Sequence, residues 1–210
     1  MNAPALLTID DGPSARFAEK LEFLTRRRVP AVLFCWGEKI SGNEAVLVDA
    51  LRQGHILANH SWTHRRFSGL TLSEARREVL ETEQALDGIH ARAGLVWNRK
   101  YFRFPYLDAG GSTDQAEGFQ ALLRGAGYQP LPGQHGRIDS GCTFDQKEYH
   151  YGVTGAPDGL DREEAILARI RSGSPAPGDC ILVHDHEATH ELFFRCVERY
   201  LELGLTFAVP

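Results

Sequence analysis

Short apolar runs alternate along the chain with stretches of helical periodicity. Ala5 to Ile9 reads as a first strand. Phe17, Leu21 and Leu24 then fall on one face of a predicted helix, with Ser14 placed as its cap. Ala31 to Cys35 follows Pro30 as a second strand. Glu44 to Gln53 reads as a helix stopped by Gly54, and His55 to Asn59 as a third strand. Thr71 and Glu74 make a capping box ahead of a long helix reaching about Leu86. Tyr101 to Phe104 is a fourth strand. Ser112 caps a helix through Leu123 that ends near Gly125 or Gly127, and Tyr128 to Leu131 is a further strand. Residues 132 to 160 are rich in Gly, Asp and His and carry no clear period. A helix over Asp161 to Arg171, a strand over Cys180 to Val183, a helix over Glu191 to Leu203 and a strand over Leu205 to Val209 complete the series.

Strand and helix in regular alternation imply parallel βαβ units. With no linker, internal repeat or low-complexity tract, residues 1–210 are expected to form a single α/β domain, either a barrel or a doubly wound sheet. Both architectures build their sites in the loops that follow the C-terminal ends of the strands. Polar constellations are therefore sought there.

Composition narrows the chemistry. A chain of 210 residues can bury a sufficient core without disulfides or a structural metal. Any metal is then expected to be functional. The net charge of −5 argues against a nucleic-acid partner, and Arg26-Arg27-Arg28 suits the C-terminal end of a helix. The four cysteines form no C-x-x-C pair, and Cys35 and Cys180 lie in apolar runs as buried thiols do. No apolar run reaches the ~18 residues of a membrane span. No leader is recognisable before the first strand, which predicts a cytoplasmic protein, or an extracytoplasmic one if a leader has been removed.

Four strand ends carry the candidate chemistry. The first ends in Asp10-Asp11-Gly12-Pro13, a turn on one reading and a pair of functional carboxylates on the other. The third ends in His60-Ser61-Trp62-Thr63-His64. Two histidines at i and i+4 share a face if the segment is helical, and one divalent ion can take both imidazoles when a carboxylate joins them. The fourth ends in Arg103-Phe104-Pro105-Tyr106, where the arginine is either a surface charge or the partner of a neighbouring carboxylate. The late strand ends in Leu182-Val183-His184, where the histidine is either a buried hydrogen-bonded residue or part of a site.

In this order, and with Ala31-Val32-Leu33-Phe34 and Gly54-His55-Ile56-Leu57-Ala58-Asn59 as flanks, the motifs resemble those of the polysaccharide deacetylases. These are the NodB-homology group of carbohydrate esterases, carbohydrate esterase family four. The likeness runs from residue 5 to about residue 209. It implies a distorted (β/α) barrel of seven to eight parallel strands and hydrolysis of acetyl groups from N- or O-acetylated sugars. The implied metal ligands are Asp11, His60 and His64, holding a divalent ion. Zinc is the first candidate, with cobalt, nickel and manganese also compatible. Asp10 is the implied general base, Arg103 orients it and keeps it ionised, and His184 is the implied general acid. The backbone N–H of Tyr106 would serve the oxyanion, and Leu182 would line a pocket for the acetyl methyl.

One motif departs from the family. The Asp-x-x-Asp-Trp motif has no tryptophan here. Asp139 and Asp145 are both candidates to contact Arg103, with Phe144 or Tyr149 in place of the missing aromatic. His186 and His190 read as solvated or loop residues. The expected partner is an acetylated carbohydrate, with neither nucleic acid nor membrane involved. Two other functions suit the same residues: hydrolysis of another small amide or cyclic C–N bond, and non-catalytic glycan binding.

Overall fold

β-Strands β1 (Leu6–Gly12), β2 (Ala31–Cys35), β3 (Ile56–Asn59) and β4 (Cys180–His184) are buried along their whole length. That is the condition of a parallel sheet covered on both faces. The computed structural model describes residues 3–132, 136–139, 166–167, 170, 175–176 and 178–210. Among these residues the strands pair in the order β3-β2-β1-β4, all parallel. Helix α1 (Phe17–Arg27) connects β1 to β2, and α2 (Glu44–Arg52) connects β2 to β3. Helices α3 (Leu72–Ala93), α4 (Thr113–Gly125) and α5 (His190–Glu202) follow.

Alternation along the strands divides the core in two. Leu7, Ile9, Leu33, Leu57, Ile181 and Val183 pack with the helices in the larger cluster. Leu6, Val32, Phe34, Ile56, Ala58 and Cys180 face the other way, with Tyr101 and Leu131. The second face also carries Thr8 and Asp10, which alternate with the first set along β1 and pair in register with Leu182 and His184. Chemistry on this face is thus walled by strand backbone and apolar side chains.

Several local expectations are met. Thr71 and Glu74 form both bonds of a capping box at the start of α3, and Ser112 Oγ accepts from Gln115 N at the start of α4. Arg26 and Arg27 occupy the last turn of α1. Others need correction. α3 runs past Leu86 to Ala93, because the residues that follow continue the buried stripe through Ile89 and His90. Ser14 does not cap α1. Arg16 takes the N-cap position, without a side-chain cap bond, and Ser14 turns toward Asp185 instead.

The strands expected over Tyr101–Phe104, Tyr128–Leu131 and Leu205–Val209 are each reduced to a single parallel bridge, Asn59↔Phe102, Lys100↔Tyr128 and Ala5↔Phe207. Pro105, Pro130 and Pro132 lack the N–H that would extend the first two ladders. The parallel α/β architecture is as expected, but the described strands form an open sheet and not a closed barrel. Of the helix expected over Asp161 to Arg171, residues 166, 167 and 170 are described, and these are helical. No helix among the described residues is long and apolar enough to cross a membrane.

His55 ties the loop before β3 to the start of β2, its Nδ1 accepting from Ala31 N at 3.2 Å. Burial pulls its pKa from 6.5 down to about 4. The unfolded chain therefore binds a proton that the folded chain refuses between these values. Its contribution is complete above pH 6.5 and is lost as the pH falls to 4, an effect of up to about 3 kcal/mol. Urea unfolding from pH 7 to pH 4 should show this loss. In His55→Asn, which keeps an acceptor but does not titrate, that part of the pH dependence should vanish.

Candidate metal centre

The first strand ends irregularly. Ile9 pairs with Leu33 but Gly12 pairs with Cys35, so β1 carries an extra residue against β2. In a regular strand Asp10 and Asp11 would point to opposite faces. The bulge, with Asp11 at φ 68°, re-aims the second carboxylate. The result is two adjacent acids serving neighbouring positions at one strand end.

Asp10 is held from the inner face. Arg103 Nη1 donates to Asp10 Oδ1 at 2.9 Å and to Thr8 Oγ1 at 2.8 Å. Arg103 has no exposed surface, and its guanidinium lies 4.3 Å from the Phe34 ring centroid. Its Nε also faces Asp139 Oδ1 at 3.4 Å, while Asp139 Oδ2 accepts from Phe104 N at 2.7 Å. Burial pushes the Asp139 carboxyl up, against the pull of Arg103. Of the two candidates in the divergent motif, Asp139 is thus the one seen on Arg103. Asp145 lies outside the described residues, as do Phe144 and Tyr149.

Asp11 faces two imidazoles. Its Oδ1 lies 3.2 Å from His60 Nε2 and 2.9 Å from His64 Nε2. One ligand atom from each of the three residues falls within 4.8 Å of the others. Burial alone would raise the Asp11 pKa, but contacts with His186, His60 and His64 outweigh it and hold the carboxyl far below the usual range. Burial would likewise lower His60, and the negative charges of Asp10 and Asp11 reverse this and raise it.

His60 and His64 converge, but not on a helix. The segment between them is a loop with Ser61 at φ 65° and His64 at φ 60°. The i,i+4 spacing acts here through a folded loop instead of a helical face. Asn59 Oδ1 accepts from Ser61 N at 2.8 Å, and Ser61 Oγ from His64 N at 3.2 Å. Glu78, on α3, clamps the middle: its carboxylate accepts from Trp62 N (3.0 Å), Thr63 N (2.7 Å) and Thr63 Oγ1 (2.6 Å). Gly37 lets the loop approach, since a Cβ there would overlap the Trp62 ring and lie 2.9 Å from Trp62 Cα. The His64 ring stacks on Trp36, with centroids 4.6 Å apart.

The profile of the family described as polysaccharide deacetylase matches residues 2–128. The chain belongs to the polysaccharide deacetylase family. A bifunctional xylanase/deacetylase of Pseudobutyrivibrio xylanivorans is 32% identical over 186 residues, which cover 88% of this chain and 25% of that protein. A chitooligosaccharide deacetylase of Sinorhizobium fredii is 34% identical over 186 residues, 87% of this chain and 73% of that one. The chain therefore spans a quarter of the first relative and most of the second. Among solved structures, a family 4 carbohydrate esterase from Streptomyces lividans in complex with acetate superposes with a TM-score of 0.70. It is 22% identical, covering 99% of this chain and 93% of that one, and the likeness is one of fold.

The remaining expected residues surround the two acids. His184 pairs in register with Asp10 at the end of β4, and Leu182 with Thr8 on the same buried face. Tyr106 adopts φ 57°, exposes its ring and places it edge-on to His64 at 4.8 Å between centroids. The Arg66 guanidinium covers that ring at 4.4 Å.

His186 lies in a loop and is partly exposed, as expected, but it makes a contact that was not; the reading of His190 requires correction. His186 Nε2 lies 3.1 Å from Asp11 Oδ2. His190 is buried at the start of α5, with Nε2 3.2 Å from Glu19 Oε2. Glu78 and Lys20 were not singled out from sequence. Their signal was present, since both fall on the apolar stripe of a helix, where a charge needs a buried partner.

Glu78→Ala should strand two loop N–H groups and release the histidine loop. We expect a loss of about 2–4 kcal/mol in urea unfolding, with Glu78→Gln, which keeps one acceptor oxygen, falling between Ala and the parent.

Proposed function

We propose that this chain is a metal-dependent deacetylase that hydrolyses acetyl groups from N- or O-acetylated sugars of the chitooligosaccharide, peptidoglycan or xylan type. The observation that carries this reading is the convergence of Asp11, His60 and His64 beside a second carboxylate, Asp10, that is held by a buried arginine. The family membership and the named activities of the relatives support it. Single bridges at Phe102, Tyr128 and Phe207 support further strand positions of a distorted barrel of seven to eight strands around the described four.

The three residues suit a divalent ion on two grounds. His60 Nδ1 lies 2.9 Å from the carbonyl oxygen of Arg103. A proton on Nδ1 bonds that carbonyl and leaves Nε2 with its lone pair toward the cluster, the arrangement a ligating histidine requires. Asp11 Oδ1 is buried and accepts no well-directed hydrogen bond, although two imidazole nitrogens lie within 3.2 Å. Asp11 Oδ1 and the two Nε2 atoms gather in one region and match a cation's donor set. Two imidazoles and one carboxylate favour zinc, with open positions left for water and substrate. When bound, such an ion supplies Lewis acidity toward the acetyl carbonyl and promotes ionisation of water.

The chain's own residues do the rest. Asp10, paired with Arg103 Nη1 and fixed in rotation by it, takes the proton of the attacking water at Oδ2, the oxygen that does not accept from Arg103. Asp139 and Phe34 in turn fix the guanidinium. The Tyr106 N–H serves the developing oxyanion, on a backbone that the left-handed turn at Tyr106 and Leu107 sets in place. His184, across from Asp10 on β4, protonates the leaving amine or alcohol. Leu182 gives the acetyl methyl an apolar wall.

Acetate release from zinc-loaded protein on N-acetylated chito-oligosaccharides, peptidoglycan fragments and acetylated xylan tests this reading. Release is expected on at least one of the three and should stop on chelation. Asp10→Ala should lower the rate about 10²–10⁴-fold. Full activity in Asp10→Ala would refute the assigned base. No release on any substrate would refute the sugar deacetylase assignment.

A further inference from the structure

β4 runs directly into Asp185 and His186, and a lysine from α1 fixes both. Lys20 has no exposed surface, ion-pairs with Asp185 Oδ1, and donates to His186 O at 3.2 Å. From the other side, Asp185 N donates to Asp10 O at 2.8 Å. The Asp185 carboxylate accepts from Ser14 N at 2.6 Å and from Ser14 Oγ at 2.8 Å. A side chain at Gly12 would meet Asp185 Oδ2 at 3.0 Å, so the two loops sit in close contact. Asp185 and Lys20 thereby clamp the end of β4 against the loop that carries Asp10 and Asp11.

This clamp delivers the His186 ring to the metal centre's edge. Its Nε2 lies 3.1 Å from Asp11 Oδ2, and its plane stacks on His184, with centroids 5.4 Å apart and an interplanar angle of 12°. Asp11 is thus engaged on both oxygens: Oδ1 faces His60 and His64, and Oδ2 faces His186. His186 itself stands outside the three-residue cluster whose ligand atoms lie within 4.8 Å of one another. Its reach is to the ligand, not to the common point.

We propose that His186 is a positioning residue for the metal centre, its Nε2–H donating to Asp11 Oδ2 and so holding Oδ1 toward the ion. This rests on the metal-centre reading given above. A carboxylate turns readily about its terminal torsion, and either oxygen can present itself. A donor fixed on one oxygen removes that freedom before the ion arrives, and outer partners of this kind change metal affinity by about 10–100-fold.

Zinc affinity, measured on the full chain by competition with a chromophoric chelator, tests the role without relying on turnover. His186→Ala should bind as much zinc per chain as the parent, with Kd raised about 10–100-fold. His186→Gln, whose amide can still donate, should recover most of the loss. An unchanged Kd in His186→Ala would overturn the proposal, as would a Gln variant no better than Ala. Loss of all bound zinc, as expected for His60→Ala, would make His186 a ligand and overturn its positioning role. The parent chain separates the two ideas: if it binds no zinc, the metal-centre reading itself fails.

Discussion

Arg103 is a guanidinium with no exposed surface, and it cannot shed its charge at any accessible pH. A buried cation of this kind is tolerated only where anions and acceptors surround it. Asp10, Thr8 and Asp139 supply them from two different segments, with the Phe34 face packed alongside. The Arg103 backbone also serves the site: its carbonyl oxygen lies at His60 Nδ1, and its N–H donates to Asn59 O at the end of β3. One residue thus fixes the Asp10 carboxyl, the orientation of an imidazole and the spacing of two strand ends. Removing its charge would leave Asp10 and Asp139 facing each other in the interior.

Around this fixed point the loops depart from regular backbone. Asp11, Ser61, His64, Tyr106 and Asp139 all adopt positive φ. For residues with side chains that region is disfavoured by about 1–3 kcal/mol each unless the surroundings compensate. Here they do: Glu78 holds the histidine loop, Asp185 and Lys20 hold the loop after β1, and Arg103 with Phe104 N holds Asp139. The rigidity that a metal centre needs comes from these buried carboxylates bonded to backbone N–H groups, beyond the residues that face the centre itself.

The sequence made the strand ends legible because parallel strands buried on both faces announce themselves as apolar runs, and Asp10, Asp11, His60, Arg103 and His184 stand immediately after or within them. The grouping of Asp11 with both histidines followed from family resemblance. The local geometry that produces it did not follow from spacing, since a left-handed loop and a helix can both bring i and i+4 together. Ser14 looked like a cap because Ser precedes a helical pattern, yet a distant carboxylate competes better for its hydroxyl. His186 read as a loop residue because the contact that matters runs from β4 to β1 and leaves no local trace. The reduced pairing of the first two of three expected strands reflects prolines, one within the second and one just past the end of each, whose effect on a ladder depends on which edge the missing N–H would face.

The central claim is that Asp11, His60 and His64 hold one divalent ion while Asp10, the adjacent residue, does not. Equilibrium dialysis against zinc, followed by metal analysis of the parent, Asp10→Ala and His60→Ala chains, tests it most directly. The account predicts about one ion per chain in the parent and in Asp10→Ala, and none retained in His60→Ala. Loss of the ion from Asp10→Ala, or its retention in His60→Ala, would contradict the division of labour between the two adjacent acids.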